Sequence, residues 1–210
     1  MEMTVTAVSP FRGKGSRYAI YLNDEFAFVL YKGELSQYGL EDGATVDDAL
    51  YERILGETLI PRARKRGMNL LQSMDRTESD VRGKLSDGGY PREAVDDAIE
   101  YLKSFHYIDD DRYAYEYIRF KTSSMSRRQI CTKLASKGID KDTIERSFEA
   151  YYSDNECDGE DTERALIARL IAKRCPQGVD ALDYNGIQKL RAYLYGKGFS
   201  VGSIEEYLRS

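Results

Sequence analysis

The chain has 210 residues, and an apolar share of 41% is enough for one or two ordinary domains or a short array of repeats. A formal net charge of −5 argues against a globally basic nucleic-acid binder, so charge must be read locally. No apolar run of about 18 residues occurs, and no basic segment with an apolar stretch opens the chain, so we expect neither a membrane span nor a secretory signal. Cys131, Cys157 and Cys175 are odd in number and lack CxxC spacing, which fits packing or surface thiols in a reduced compartment. The expectation is a soluble cytoplasmic protein.

Residues 3 to 30 read as strands. Thr4 to Val8 form a short one before Pro10, and Phe11 to Ser16 should turn at Gly13 and Gly15. Arg17 to Leu22 alternates, with Tyr18, Ile20 and Leu22 on one side. Asn23-Asp24-Glu25 is a turn and Phe26 to Leu30 a further strand. Such a sheet must pack on the helices behind it. Residues 31 to 60 read as a helical connector, with Thr45 to Leu55 helical.

From Ile60 a pattern repeats. Leu85, Leu134 and Leu194 are each followed four residues on by Gly89, Gly138 and Gly198, then at once by Tyr90, Ile139 and Phe199. Val95, Ile144 and Ile204 stand five beyond, and Val81, Ile130 and Leu190 four before each leucine. Thr77, Ser126 and Gly186 stand four earlier again, at the place of a helix N-cap. The unit reads as helix, glycine turn, helix, with Asp140 capping the last helix of the middle copy. A further helix precedes each copy: about 61 to 74 (Ala63, Gly67, Leu70, Leu71 and Met74 inward), 110 to 121 (Tyr113, Ala114, Tyr117 and Ile118 inward) and 161 to 174 (Leu166, Ile167, Leu170 and Ile171 inward). Pro61 suits a first helical turn and Pro176 a stop.

The expected fold is therefore mainly α, a tandem array of three three-helix repeats with a small N-terminal β-hairpin or sheet. Residues 1–59 are the β extension and connector, 60–108 the first repeat, 109–152 the second, and 153–210 an acidic link and the third.

Catalytic chemistry finds no home. His106 is the single histidine and lies between Phe105 and Tyr107 at a helix end, a structural position. Asp109, Asp110 and Asp111 read as carboxylates starting a helix, where the helix dipole favours them. We expect no enzyme, no metal and no cofactor. Charge is the informative signal. Arg119 to Lys137 holds Arg119, Lys121, Arg127, Arg128, Lys133 and Lys137 and no acid, and residues 60 to 76 hold Arg62, Arg64, Lys65, Arg66 and Arg76 against Asp75 alone. Residues 140 to 163 carry ten acids and two bases. The chain is bipolar, and its basic stretches are candidates for phosphate contact beside the plainer reading of solvated helix faces.

The run DRTESDVRGKLSDGGYPREAVDDAIEYLKSFHYIDDDRYAYEYI, residues 75 to 118, resembles the RecX family of bacterial recombination regulators. SRRQICTKLASKGIDKDTI (126 to 144) resembles the second unit of that family and LRAYLYGKGFSVGSIEEYL (190 to 208) its third. The start RYAIYLNDEFAFVL (17 to 30) resembles the N-terminal extension of its longer members. The joined DDRYA, Asp110 to Ala114, is the most specific element; Ser126 stands where members often have glycine.

The resemblance implies three tandem three-helix repeats in a curved, elongated body. It implies a monomeric inhibitor of the RecA recombinase that lies in the groove of the RecA–single-stranded DNA filament, with duplex DNA an open alternative. Filament sites would then fall among Arg62, Arg64, Lys65, Arg66, Arg119, Lys121, Arg127, Arg128, Lys133 and Lys137. Blocking the groove and stopping growth at an end both fit. A second reading is a helix-turn-helix DNA binder acting without RecA, although the start of the third helix, Lys141-Asp142, offers it mixed charge. A third is a repeat scaffold without DNA contact.

Overall fold

The computed structural model describes residues 2–13, 15–156 and 158–208, which leaves Cys157 outside the described residues. The chain divides into two compact units, Met1–Asp109 and Asp110–Ser210.

The first unit opens with strands β1 (Glu2–Pro10), β2 (Arg17–Leu22) and β3 (Glu25–Tyr31), and helix α1 (Lys32–Tyr38) follows. Asn23 and Asp24, with φ of 50° and 69°, make the tight turn between β2 and β3; two consecutive left-handed residues match the twist of a hairpin. A fourth strand, β4 (Thr45–Asp47), pairs antiparallel with β1, so the sheet order is β3-β2-β1-β4. This corrects the expected helix from Thr45. Asp47 instead ends the strand and caps α2 (Asp48–Ile54), its carboxylate accepting from the Leu50 amide at 2.7 Å.

The helical path then runs without a break through a π turn (Leu55–Leu59) into α3 (Ile60–Leu71). Pro61 therefore does not begin a separate helix. A proline ring clashes with the carbonyl four residues back, and the wider π turn sits where that clash would fall. Nor does α3 reach Met74, which is exposed rather than inward. Arg76 donates to the Leu70 carbonyl at 3.0 Å and terminates the helix there.

Helices α4 (Glu78–Ser86) and α5 (Arg92–Ser104) complete the first repeat, with Thr77 capping α4. One continuous core joins the sheet to the helices: Ile20, Phe28 and Leu30 with Ile54, Leu59, Leu85 and Leu102. The expected packing of sheet on helices is therefore present. Arg62 fastens the two. It pairs with Glu34 at 2.9 Å, donates to the Val29 carbonyl at 2.9 Å and lies over the Tyr31 ring.

The second unit holds α6 (Asp110–Lys121), α7 (Arg127–Ser136), α8 (Lys141–Asp154), α9 (Gly159–Arg174), α10 (Tyr184–Gly196) and α11 (Val201–Leu208). Each trio has its own core, around Ile118, Ile130, Leu134 and Phe148 in one and Ile167, Leu190, Leu194 and Phe199 in the other. Ser126 and Asp140 cap α7 and α8. Gly186 is not a cap. Asp183 takes that role for α10, accepting from the Gly186 amide at 2.7 Å, because a carboxylate satisfies the open amides and adds a turn to the helix.

The glycine turn recurs in all three repeats. Gly89, Gly138 and Gly198 have φ of 86°, 83° and 88°. In each repeat the next amide (Tyr90, Ile139 or Phe199) returns to the leucine carbonyl five residues back, at 3.4, 3.2 and 3.4 Å. The turns at Gly89 and Gly198 also dock on neighbouring elements. The Val29 amide on edge strand β3 donates to the Gly89 carbonyl at 2.9 Å. A Cβ on Gly89 would lie 2.2 Å from Val29 Cγ2 and 2.8 Å from its Cβ.

Gly89→Ala is expected to cost more stability than Gly39→Ala. Both sites are left-handed, which costs about 1–2 kcal/mol, but a Cβ at Gly39 meets nothing within 4 Å. Thermal melts check this; equal losses would show that the turn does not press on β3. A second expectation concerns acid. Burial pulls the Glu78 carboxyl up, but hydrogen bonds from Lys103 and Arg82 outweigh it and hold it below the usual range; Arg82 likewise holds Asp96 low. A depressed carboxylate contributes stability that is complete above its unfolded pKa, about 4, and is lost as pH falls through the folded value. Denaturation midpoints of Glu78→Gln and Asp96→Asn should therefore lie under wild type at neutral pH and approach it as pH falls through the lowered carboxylate values.

Candidate nucleic-acid interface

The acid-free stretch centres on α7. Ser126 starts the helix: its hydroxyl accepts from the Gln129 amide at 3.3 Å and donates to the Lys197 carbonyl at 2.7 Å. Ile130 and Leu134 turn one side into the core, which leaves Arg128, Thr132 and Lys133 exposed. The Gly198 turn of the third repeat seats on the start of α7. A Cβ there would lie 2.8 Å from Ser126 Oγ and 3.3 Å from Arg128 Cβ. This docking brings Tyr195 beside α7. An open groove of about 330 Å³ results, with Arg128, Gln129, Thr132 and Lys133 on one wall and Tyr195 and Gly198 on the other.

The ten basic residues singled out in the sequence have very different surroundings. Arg127 and its neighbour Arg128 look equivalent in the sequence, yet Arg127 is half-buried. It pairs with Glu145 and lies 4.5 Å from the Phe148 ring centre and 5.9 Å from that of Tyr152. Its amide donates to Glu163 at 3.0 Å, so a carboxylate already occupies that helix start. Arg62 is tied to Glu34. Arg64 grips Asp97 through two bonds of 2.6 and 2.8 Å. Arg119 pairs with Glu116 at 3.3 Å and Lys137 lies 5.4 Å from the Tyr113 ring. Lys65, Arg66, Lys121, Arg128 and Lys133 have no ion-pair partner among the described residues. Of these, Arg128 and Lys133 share one groove, and Arg66 lies in the first unit.

Sequence reasoning missed Tyr195, which is 56% exposed. It follows Leu194 directly and so falls off the buried stripe of Leu190 and Leu194. An aromatic residue off such a stripe was the available signal. Arg128 and Lys133 can take phosphate oxygens and Tyr195 offers a ring for a base, the combination that single strands use. The exposed acids Asp154, Glu156, Asp158, Glu160 and Asp161 follow on α8 and at the start of α9 and would repel the same backbone. Among the described residues, no helix is long and apolar enough to cross a membrane.

Comparison with known proteins agrees with this architecture. Residues 63–102 match the model of the first three-helix domain of RecX, and residues 109–147 match that of the second. The regulatory protein RecX of Caldanaerobacter subterraneus is 28% identical over 94% of each chain. That of Clostridium acetobutylicum is 28% identical over 99% of this chain and 96% of its own. A crystal structure of regulatory protein RecX superposes with a TM-score of 0.63 at 25% identity, covering 99% of this chain and 98% of that one. RecX from Lactobacillus salivarius shares the fold, with a TM-score of 0.57 over 71% of this chain and 94% of its own, at 24% identity. Two of its three-helix repeats match RecX family models and nearly its whole length aligns with these relatives, so the chain is similar to the RecX regulatory proteins in both sequence and fold.

Proposed function

We propose that this chain is a regulator of the RecA recombinase. It inhibits RecA by binding the groove of the RecA–single-stranded DNA filament, and it limits filament growth and strand exchange. The family and the regulatory relatives support the partner. The observation that carries the DNA contact is the groove in which Arg128 and Lys133, without an ion-pair partner among the described residues, stand beside Tyr195. The acidic stretch that follows disfavours phosphate and suits a protein surface of the recombinase, so the bipolar charge orients the chain on a mixed protein–DNA target.

Two variants test this. Arg128→Ala with Lys133→Ala removes exposed charge, which usually changes stability by under about 0.5 kcal/mol. Inhibition of RecA strand exchange should fall, and the slope of binding against salt should drop by about 1.4 for two lost single-strand phosphate contacts. Inhibition equal to wild type at the same salt would remove the DNA contact from the reading and leave only the protein contact.

Arg127→Ala should behave differently. It loses an ion pair and an aromatic contact, together about 1–2 kcal/mol, so its melting temperature should fall. A melting temperature equal to wild type would show that Arg127 is not a structural residue.

A further inference from the structure

A second basic cleft lies wholly inside the first unit, where the connection between β1 and β2 meets the first repeat. It encloses about 480 Å³. Arg12 and Arg17 reach it from the sheet side, Arg66 and Lys84 from helices α3 and α4, and Arg76 from the connection between those helices, with Asp87 the one carboxylate among its described lining residues. Segments some seventy residues apart in sequence thus bring five cations to one concavity.

The charges are only partly offset. Arg76 pairs with Asp80 at 2.6 Å, and Lys84 lies 3.7 Å from the same residue. Arg12 donates to the Asp87 backbone carbonyl at 2.6 Å, a contact that brings no negative charge. Arg17 has no carboxylate partner among the described residues and lies 5.2 Å from the Phe11 ring centre, which holds the guanidinium without neutralising it. Arg66 is exposed and likewise unpaired. Convergent like charges repel one another, and an anion in the cleft relieves that repulsion.

Aromatic rings border the same cleft. Tyr31 and Tyr90 line it, and Arg62 lies 5.1 and 5.8 Å from their ring centres. Tyr31 is 42% exposed, which leaves ring surface for a further flat group. Planar cations around an open concavity match a phosphodiester backbone, and an exposed ring at its edge matches an unstacked base. Inorganic phosphate would use the cations but not the ring.

We propose that this cleft binds single-stranded nucleic acid, with Arg17 and Arg66 on backbone phosphates and Tyr31 against a base. The site gives the N-terminal sheet a binding role beyond packing. It depends neither on the α7 groove nor on RecA, so it is tested on the full chain without RecA.

The experiment is fluorescence anisotropy of a labelled oligothymidylate of about 15 nucleotides, a length that one compact site can hold. Arg17→Ala with Arg66→Ala is expected to weaken binding at least about tenfold at low salt and to lower the salt slope by about 1.4. Tyr31→Ala should weaken binding about five- to a hundredfold and keep the slope, because stacking releases no counterions. Thermal melts accompany each variant. If the arginine pair melts low, Arg66→Glu, an exposed reversal that leaves Arg17 on Phe11, is read by the same affinity and slope criteria. A folded cleft variant with unchanged affinity and slope overturns the proposal. An oligonucleotide displaced by tripolyphosphate, with Tyr31→Ala binding as wild type, assigns the site to free phosphate and overturns it as a nucleic-acid site. Arg128→Ala with Lys133→Ala, measured alongside, separates this cleft from the α7 groove.

Discussion

The left-handed glycine turn after the second helix of each repeat is the constraint on which the rest of the chain depends. Gly89, Gly138 and Gly198 reverse the chain so that the next amide returns to the leucine carbonyl. Only then can the third helix fold back and close a core over that leucine, which is fully buried in every repeat. The missing Cβ serves a second purpose. At Gly89 the backbone comes within hydrogen-bonding distance of strand β3, and at Gly198 it seats against Ser126 and Arg128. A side chain at either place would hold the neighbouring element away.

The N-terminal sheet gains its place from the same device. Strand β3 is an edge, and unpaired edge amides invite association with other chains. The Gly89 carbonyl takes up the Val29 amide, and Arg62 takes up the Val29 carbonyl. The opposite edge, β4, is only three residues long. Towards the first repeat the sheet supplies the contact that a preceding repeat would supply in an array, which is the work of a terminal cap. The second and third repeats repeat the arrangement, with α7 receiving the Gly198 turn.

Charge divides by partner rather than by position in the chain. Arg62, Arg64 and Arg127 each combine a carboxylate with an aromatic face and hold elements together. Arg128, Lys133, Arg17 and Arg66 keep their charge uncompensated by any carboxylate among the described residues and line open concavities. A guanidinium already engaged in this way contributes little to binding an outside anion, because it must first give up what holds it. The unpaired cations beside Tyr195 and Tyr31 are therefore the chemically available ones.

The sequence by itself determined the repeat, the caps at Thr77, Ser126 and Asp140, the left-handed glycines, the hairpin turn and the helical core stripes. All of these are local: they depend on spacings within a few residues and on backbone preferences that each residue carries with it. Strand β4 was not legible, because three residues carry no period and pair only once β1 lies alongside. The continuous path through the π turn was hidden by Pro61, which reads locally as a beginning. Asp183 was missed as the α10 cap because alignment to the other repeats pointed to Gly186. Only the tertiary structure decided which cations are free. Arg127 and Arg128 are adjacent and chemically identical, yet helix geometry turns one onto Glu145 and Phe148 and the other into a groove beside Tyr195. A charge is available or spent according to carboxylates and rings that folding brings from distant segments, and no spacing along the chain records where those will lie.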